Sequence, residues 1–141
     1  MDKLLVAAAA LIDADGRVLL ARAAAGKPHA GAWEFPGGKV GAEEAPRAAL
    51  VRELREELGI ETEASCLAPL GFASEPLGGV GDDDEGRHLV LLVFACRKWR
   101  GVARGMEGQE VRWRAPGDLL SEDLAPADRP VAAQLRDLLV G

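Results

Sequence analysis

The chain has 141 residues, of which 48% are hydrophobic and 28% are charged. These proportions are typical of globular proteins, and they exclude a disordered, collagen-like or coiled-coil chain. The length fits one domain, so residues 1–141 are expected to fold as a single unit. The net charge of −6 argues against a general nucleic-acid binder, which needs a basic surface. Two cysteines are too few for a disulfide framework and predict reduced thiols in a cytoplasmic protein.

The N-terminal quarter predicts two strands followed by a long loop. Residues 4–12 form an apolar run and residues 13–16 have turn chemistry, which predicts a buried strand that ends in a turn. The run is too short to cross a bilayer, which needs roughly 20 apolar residues, so no membrane contact is expected. Residues 17–22 predict the second arm of a hairpin. Residues 23–38 contain four glycines and two prolines, which predicts a long functional loop.

The strongest helix signal spans residues 45–58, where apolar residues recur at helical spacing. Pro46 suits the first turn of a helix because its missing N–H would have no partner there. Glu43 and Glu44 suit the positive end of the helix dipole. Gly59 predicts the end of the helix, since glycine readily adopts the left-handed conformation of a C-cap.

The rest of the chain predicts strands and a closing helix. In chain order, the expected elements are an extended segment at 61–74, a polar loop at 77–86, a central strand at 88–99, a shorter strand at 110–114 and a helix at 130–140. Helices that lie on both sides of strands indicate an α/β fold. We therefore expect a mixed sheet packed between the helix at 45–58 and the closing helix.

Three carboxylates of the predicted helix lie on one face. Glu53, Glu56 and Glu57 project within about 100° of one another at 100° per residue, beside the apolar face that packs on the core. The alternative interpretation is a solvated acidic face in which Arg52 pairs with Glu56, because pairs at this spacing are common on helices. The helix alone does not decide between a functional and a solvated face.

The loop before the helix favours a metal-dependent phosphate site. Residues 33–39 read WEFPGGK, and the adjacent Gly37 and Gly38 expose their backbone carbonyls and amides to a ligand. Carboxylates and carbonyls are the oxygen ligands that Mg²⁺ and Mn²⁺ prefer. Hard metal ions beside the positive charge of Lys39 imply a polyphosphate substrate.

Nine residues at fixed spacing resemble the Nudix box, GX5EX7REUXEEXGU, in which U is an aliphatic residue. They are Gly38, Glu44, Arg52, Glu53, Leu54, Glu56, Glu57, Gly59 and Ile60. The flanking WEFPGGK segment is similar to that of the MutT-type branch, which hydrolyses nucleoside triphosphates to the monophosphate and pyrophosphate. The resemblance implies a Nudix fold, this reaction, oxidised dGTP as the leading substrate and a role in sanitation of the nucleotide pool. Alternatives are cytosine nucleotides, another nucleoside diphosphate derivative, or a non-catalytic nucleotide-binding module.

The resemblance also implies a role for each matching residue. The residues expected to hold Mg²⁺, or Mn²⁺ in its place, are Glu53, Glu56, Glu57 and the carbonyl of Gly37 or Gly38. Glu53 is also the favoured base for activating water, and Glu44 and Arg52 would orient its carboxylate. Glu107, from a distant loop, matches a further metal ligand or base, and its alternative is a solvated loop glutamate.

Four residues are candidates for contact with the substrate. Arg22 and Lys39 would contact phosphates, although each has a surface charge as its alternative, and Phe35 of the WEFPGGK segment is expected at the substrate site. Asp128 stands where the MutT-type pattern Pro-Ala-Asn-x-Pro has an Asn that reads the base. An ionised Asp only accepts hydrogen bonds, which favours the N4 amino group of cytosine over a purine O6. The alternative for Asp128 is an N-cap of the closing helix.

The expected partner is a small-molecule nucleotide, with no nucleic acid and no membrane. The chain is expected to act as a monomer or a homodimer. The run Asp82-Asp83-Asp84-Glu85 predicts a solvated loop more than a metal site, and its length leaves open a role in covering the pocket. Trp99 and Trp113 are expected to pack in the fold more than to stack on a base.

Overall fold

The computed structural model describes residues 2–25, 29–78 and 85–140. Within these ranges the chain forms strands, two α-helices and two short 3₁₀ turns. The elements are β1 (Asp2–Leu11), β2 (Val18–Arg22), β3 (Trp33–Glu34), β4 (Gly37–Lys39), α1 (Pro46–Leu58), a turn at Ala64–Cys66, β5 (Leu67–Pro76), β6 (Arg87–Cys96), β7 (Val111–Arg114), a turn at Pro116–Ser121 and α2 (Asp128–Val140). Neither helix of the described ranges has the length and apolar character needed to cross a membrane.

The strands form two sheets. The first is mixed, with the order β4-β1-β6-β5, and the second is antiparallel, with the order β3-β2-β7. The predicted hairpin of β1 and β2 is therefore wrong, since the two strands lie in different sheets and are joined by an isolated bridge between Ile12 and Val18. β1 already has β6 on one edge and β4 on the other, so β2 pairs with β3 and β7 instead.

Alternate residues of β1 face opposite helices. Ala7, Ala9 and Leu11 belong to the apolar cluster that contains the buried face of α1, whereas Ala8, Ala10 and Ile12 belong to the cluster that contains the buried face of α2. Because both faces of the strand are covered, its sequence is apolar throughout instead of alternating. This arrangement confirms the predicted α/β fold with a mixed sheet between two helices.

The predicted loop at 23–38 contains the short strand β3 and leads into β4. β4 lies against the middle of β1, where Gly37 pairs with Ala8. A Cβ atom at Gly37 would collide with the carbonyl oxygen of Ala7, so only glycine permits this close pairing. The pairing fixes the position of Gly38, which follows directly and faces α1.

Helix α1 matches its prediction closely. It begins at Pro46 and is terminated by Gly59, which has φ 70° and donates its N–H to the carbonyl of Arg55. Glu43 and Glu44 precede the helix, whose own first turn contains no acidic residue, so their favourable interaction with the helix dipole stays a prediction. Glu44 binds a side chain from within the helix.

The later elements agree with prediction in kind but differ at their boundaries. The extended segment predicted at 61–74 begins as β5 only after a 3₁₀ turn, and α2 starts two residues before the predicted 130. β6 pairs with β1 on one side and β5 on the other, which confirms a central strand. Part of the polar loop predicted at 77–86, including Asp82, Asp83 and Asp84, lies outside the described residues.

Candidate active site

The carboxylates of α1 lie beside its buried face and differ in exposure. The side chain of Glu53 is 16% exposed, whereas that of Glu56 is 55% exposed. Leu54 and Leu58, the apolar neighbours of these carboxylates on the helix, are fully buried and anchor α1 to the sheet. Core packing therefore fixes the backbone from which Glu53 and Glu56 project.

Gly38 and Glu53 form the contact between the glycine loop and the helix. A Cβ atom at position 38 would lie 2.5 Å from Cδ of Glu53, which is far closer than any real Cβ contact. The carboxylate of Glu53 thus rests on the backbone of β4, in space that only glycine leaves open. The two sequence features that predicted the site, the paired glycines and the acidic helix, meet at this point.

Arg52 connects the acidic residues of the site. Its guanidinium binds Glu44 through two bonds, with Nε 2.8 Å from Oε2 and Nη2 2.9 Å from Oε1. Nη1 lies 2.9 Å from Oε1 of Glu53 and 3.3 Å from Oε2 of Glu56. Bidentate bonds between charged groups are strong and fix orientation. The contact between Arg52 and Glu56 is the pair of the solvated-face interpretation, and it is part of the same network.

This network shifts the pKa values of Glu44 and Arg52 in favour of their charged forms. Hydrogen bonds from Arg52, and next the backbone N–H of Gly41, lower the pKa of Glu44 to about 2. Hydrogen bonds to Glu44 and then Glu53 raise the pKa of Arg52 above its usual range. At neutral pH the pair is therefore a fixed carboxylate and a fixed guanidinium, and Arg52 cannot release a proton to the chemistry.

The donor set suits a hard divalent ion. Carboxylate oxygens of α1 and the backbone of the adjacent glycines are the ligands that Mg²⁺ and Mn²⁺ favour. In the part of the chain that the structure describes, no three histidine, cysteine, aspartate or glutamate side chains come close enough together to hold an ion. Glu53 and Glu56 share Arg52 as their counter-ion in this structure.

A cavity of about 180 Å³ lies next to these residues. Its lining includes Glu57 from α1, Glu107 from the loop before β7, Arg22 at the end of β2 and Glu34 from β3. The structure therefore brings Glu107 to the acidic helix, as expected for a residue of the site. No pattern in the sequence singles out Glu34, although it lies within the WEFPGGK segment.

The loop that carries Glu107 is bound to the end of α1. The N–H of Met106 donates to the carbonyl of Glu57 at 2.9 Å, and the N–H of Arg104 donates to that of Leu58 at 3.2 Å. These carbonyls have no partner within the helix because they belong to its last turn. The backbone of the loop satisfies them, which places Glu107 beside the cavity.

Arg22 and Lys39 differ in how they are held. Arg22 donates from Nε to the carbonyl of Gly31 and from Nη1 to Glu110, each at 3.0 Å, and its guanidinium lies over the ring of Trp33. It also lines the cavity, although its side chain is 46% exposed and is paired with Glu110. Lys39 is exposed at the end of β4.

Phe35 and Asp128 form a buried pair behind the cavity wall. Phe35 is 3% exposed and its ring lies in the apolar core, which differs from the direct substrate contact expected for it. Its neighbours Glu34 and Pro36 line the cavity in its place. The N–H of Phe35 donates to Oδ2 of Asp128 at 2.8 Å. The backbone N–H of Phe35 thus binds Asp128, while its ring packs in the core.

Asp128 is not an N-cap. Helix α2 begins at Asp128 itself, and the carboxylate reaches Phe35 instead of the helix backbone. Burial raises the pKa of Asp128 to about 7, the bond from Phe35 opposes the shift, and the charge of Glu34 adds to it. With 6% of the residue exposed, the carboxyl changes its protonation state near neutral pH in a largely dry setting.

A second and larger cavity, of about 690 Å³, lies away from the Nudix-like residues. Its walls include Glu61, Cys66, Trp99 and Arg100, and none of the carboxylates on α1 contributes. Trp99 stacks on Trp113 with ring centroids 6.1 Å apart, which is packing within the fold, as expected. Size therefore does not identify the active site here, and the smaller cavity has the appropriate chemistry.

Comparison with known proteins supports the assignment. The NUDIX domain family matches residues 2–135. The CTP pyrophosphohydrolase of Escherichia coli K12 is 40% identical over 129 residues, covering 92% of this chain and 89% of that protein. The 8-oxo-dGTP diphosphatase of the same strain is 35% identical over 138 residues, covering 98% of this chain and all of that protein. A MutT NUDIX hydrolase from Burkholderia pseudomallei has a crystal structure with a TM-score of 0.79, 32% identity and coverage of 95% and 98%.

These matches agree with the residues that carried the resemblance. The predicted Nudix fold is confirmed by structures that cover nearly the whole chain, and the MutT-like resemblance is confirmed by the relatives. The family is one of hydrolases that act on nucleotides and generally use divalent metal ions. On the extent of the match, the chain belongs to the NUDIX domain family.

Proposed function

We propose that the chain hydrolyses nucleoside triphosphates to the monophosphate and pyrophosphate, as a sanitation enzyme of the nucleotide pool. The observation that carries this proposal is the seating of the Glu53 carboxylate. It is held by Arg52 against Gly38, and it lies on the same helix face as Glu57, which lines the cavity with Glu107. A fixed carboxylate on the helix face that contributes Glu57 to the cavity suits water activation at a metal-bound polyphosphate.

The proposed reaction is attack of water on the β-phosphorus. A bond forms between the water oxygen and that phosphorus, and the bond from the phosphorus to the oxygen shared with the α-phosphate breaks. The bridging oxygen leaves with the nucleoside monophosphate, and the other product is pyrophosphate. Glu53 accepts the water proton, with Oε1 held by Arg52 and Oε2 left for the proton. Glu107 is the second candidate for this base.

A divalent ion is part of the proposal. Mg²⁺, with Mn²⁺ as a substitute, would be held by Glu53, Glu56, Glu57, Glu107 and the carbonyl of Gly37 or Gly38. When bound, the ion would neutralise charge that develops on the phosphates. Arg22, at the cavity, and Lys39, at the end of β4, would contact the phosphate oxygens. Arg52 would keep Glu53 oriented, and the carboxylates of Glu53 and Glu56 would bind both Arg52 and the ion.

The base preference depends on Asp128. Because the N–H of Phe35 occupies Oδ2, the oxygen left for a base is Oδ1. When protonated, that oxygen donates to the O6 of oxidised guanine, and when ionised it accepts from the N4 amino group of cytosine. We infer 8-oxo-dGTP as the leading substrate. Cytosine nucleotides are the second candidate, favoured by an aspartate at this position and by the similarity to a CTP pyrophosphohydrolase.

The test is pyrophosphate release, measured with Mg²⁺ over 8-oxo-dGTP, dGTP, CTP, dCTP and ADP-ribose. We expect turnover of a triphosphate with stoichiometric pyrophosphate and monophosphate, and loss of turnover when a chelator removes the metal. Preferred cleavage of ADP-ribose, or release of orthophosphate, would contradict the proposed reaction. Tight nucleotide binding without turnover would indicate a non-catalytic module instead.

We further infer that the chain works on free nucleotides in the cytoplasm, as a monomer or a homodimer. The net charge of −6 disfavours a nucleic-acid substrate, because the polyanion would be repelled. Sedimentation of the purified chain would give its oligomeric state, and competition by duplex DNA in the pyrophosphate assay would test the preference for free nucleotides.

A further inference from the structure

Gln109 uses both ends of its side-chain amide to join two segments of the site. Nε2 donates to the main-chain carbonyl of Glu57 at 3.2 Å, and Oε1 accepts from the main-chain N–H of Glu107 at 2.9 Å. The side chain is partly buried and lines the cavity that Glu57 and Glu107 also line. One amide therefore connects the backbones of two carboxylate-bearing residues that are distant in sequence.

The surroundings of Gln109 make this connection important. Glu107 lies between Gly105 and Gly108, and Gly108 has φ 82°, so this segment has few intrinsic restraints. The loop is held to α1 by the bond from Met106 to the Glu57 carbonyl. That carbonyl has two lone pairs, and it accepts from Gln109 as well. The bond to the N–H of Glu107 extends the restraint to a residue that lines the cavity.

We propose that Gln109 is a positioning residue that sets the separation of the Glu57 and Glu107 carboxylates across the cavity. Its amide ties the N–H of Glu107 to the carbonyl of Glu57, which α1 already holds in place, so both side chains can serve one ion or one phosphate chain. This inference rests on the proposed function, because it assigns the pair to the same chemistry. In this proposal Gln109 acts through Glu107 and not through a bond of its own to substrate.

Gln109→Met tests the proposal, because methionine keeps the length of the side chain and makes neither hydrogen bond. We expect kcat to fall about 10- to 100-fold, the range typical of residues that orient metal ligands, with a smaller change in the KM for nucleotide. The Mg²⁺ concentration for half-maximal rate should rise. Gln109→Asn, which is too short to span both partners, should behave in the same way.

A double mutant separates positioning from general damage. In a Glu107→Gln background, adding Gln109→Met should cause no further loss of kcat, because the residue acts through Glu107. A full additional loss would overturn the proposal. Gln134→Met is the matched control, since Gln134 also donates from Nε2 to a main-chain carbonyl, that of Leu70 at 2.9 Å, but lies on α2 away from the cavity. Its kcat should match that of the wild type.

A measurement without turnover keeps this inference distinct from the proposed function. Amide hydrogen exchange at Glu107 should speed up in Gln109→Met and stay unchanged in Gln134→Met, and calorimetry should show weaker Mn²⁺ binding only in the former. Unchanged exchange and unchanged Mn²⁺ affinity would overturn the positioning role. A wild type that releases no pyrophosphate from any nucleotide would contradict the proposed function, while the exchange and binding data would still test Gln109.

Discussion

Carboxyl groups at the two ends of the candidate site are held in opposite electrostatic states. At the helix end, Arg52 lowers the pKa of Glu44 to about 2, so Glu44 stays ionised. At the other end, Asp128 is buried without a cation bonded to it, and its pKa rises to about 7. The first environment preserves the charge of Glu44, whereas the second leaves Asp128 able to change its protonation state near neutral pH. The comparison shows how the surroundings shift the pKa values of two carboxyl groups in opposite directions within the same small fold.

The largest effect is expected at the helix end. Glu53→Gln keeps the size of the side chain but removes its charge, so a proton acceptor and a metal ligand are lost. We expect kcat for pyrophosphate release to fall at least about 100-fold. The melting temperature should change little, because the group faces Gly38 and not the core. Glu63→Gln, an exposed glutamate outside the smaller cavity, is the control. Turnover and a metal requirement close to those of the wild type would show that Glu53 is not the base.

Substitutions at the adjacent glycines Gly37 and Gly38 should distinguish an effect on catalysis from an effect on folding. In Gly38→Ala the new methyl group meets the flexible end of Glu53, so the carboxylate moves and the fold survives. We expect kcat to fall on the order of 10-fold or more, as for a misplaced catalytic group, at a nearly unchanged melting temperature. In Gly37→Ala the methyl group meets the rigid backbone of Ala7, so the melting temperature itself should fall. Equal thermal losses in the two variants would contradict this division of roles.

Local sequence signals predicted α1 and failed for contacts between distant segments. Pro46 and Gly59 bracket the helix through short-range geometry, and both matched the structure. The hairpin prediction failed because β6, far along the chain, pairs with β1. The approach of Glu107 was expected from the resemblance alone. Its restraint by Gln109 depends on backbone atoms, which leave no pattern in the sequence.

Asp128 shows the same division between local and distant signals. Its position before a proline suggested an N-cap, which is a local interpretation, whereas its partner is the N–H of Phe35, 93 residues earlier. The raised pKa follows from burial and from Glu34, and neither is encoded near position 128. The departure from the family's Asn was visible in the sequence, but its electrostatic consequence was not.

A substitution at the base end should change selectivity more than rate. Asp128→Asn keeps an oxygen for the N–H of Phe35 and removes the charge, so it should shift relative kcat/KM towards 8-oxo-dGTP and away from cytosine nucleotides by on the order of 10-fold. In the wild type this ratio should rise as the pH falls below about 7, because protonated Asp128 donates to O6. The ratio in the variant should vary less with pH. An unchanged ratio in both tests would leave Asp128 with a structural role alone.

The smallest effect concerns stability. The folded-state pKa of Asp128 is about 7, above its ordinary value of 3.8, so between these values the folded chain binds more protons than the unfolded chain. The stabilising contribution of Asp128 to the free energy of unfolding is therefore fully present below pH 3.8 and is lost as the pH rises through about 7. Asp128→Asn is neutral at every pH, so its melting temperature should exceed that of the wild type at pH 8 and approach it at pH 5. Thermal melts of both proteins across this range measure the difference. If the melting temperatures of the two proteins changed in parallel at all pH values, Asp128 would be ionised in the folded state. The effects of burial, of the N–H of Phe35 and of the charge of Glu34 on its pKa would then be wrong.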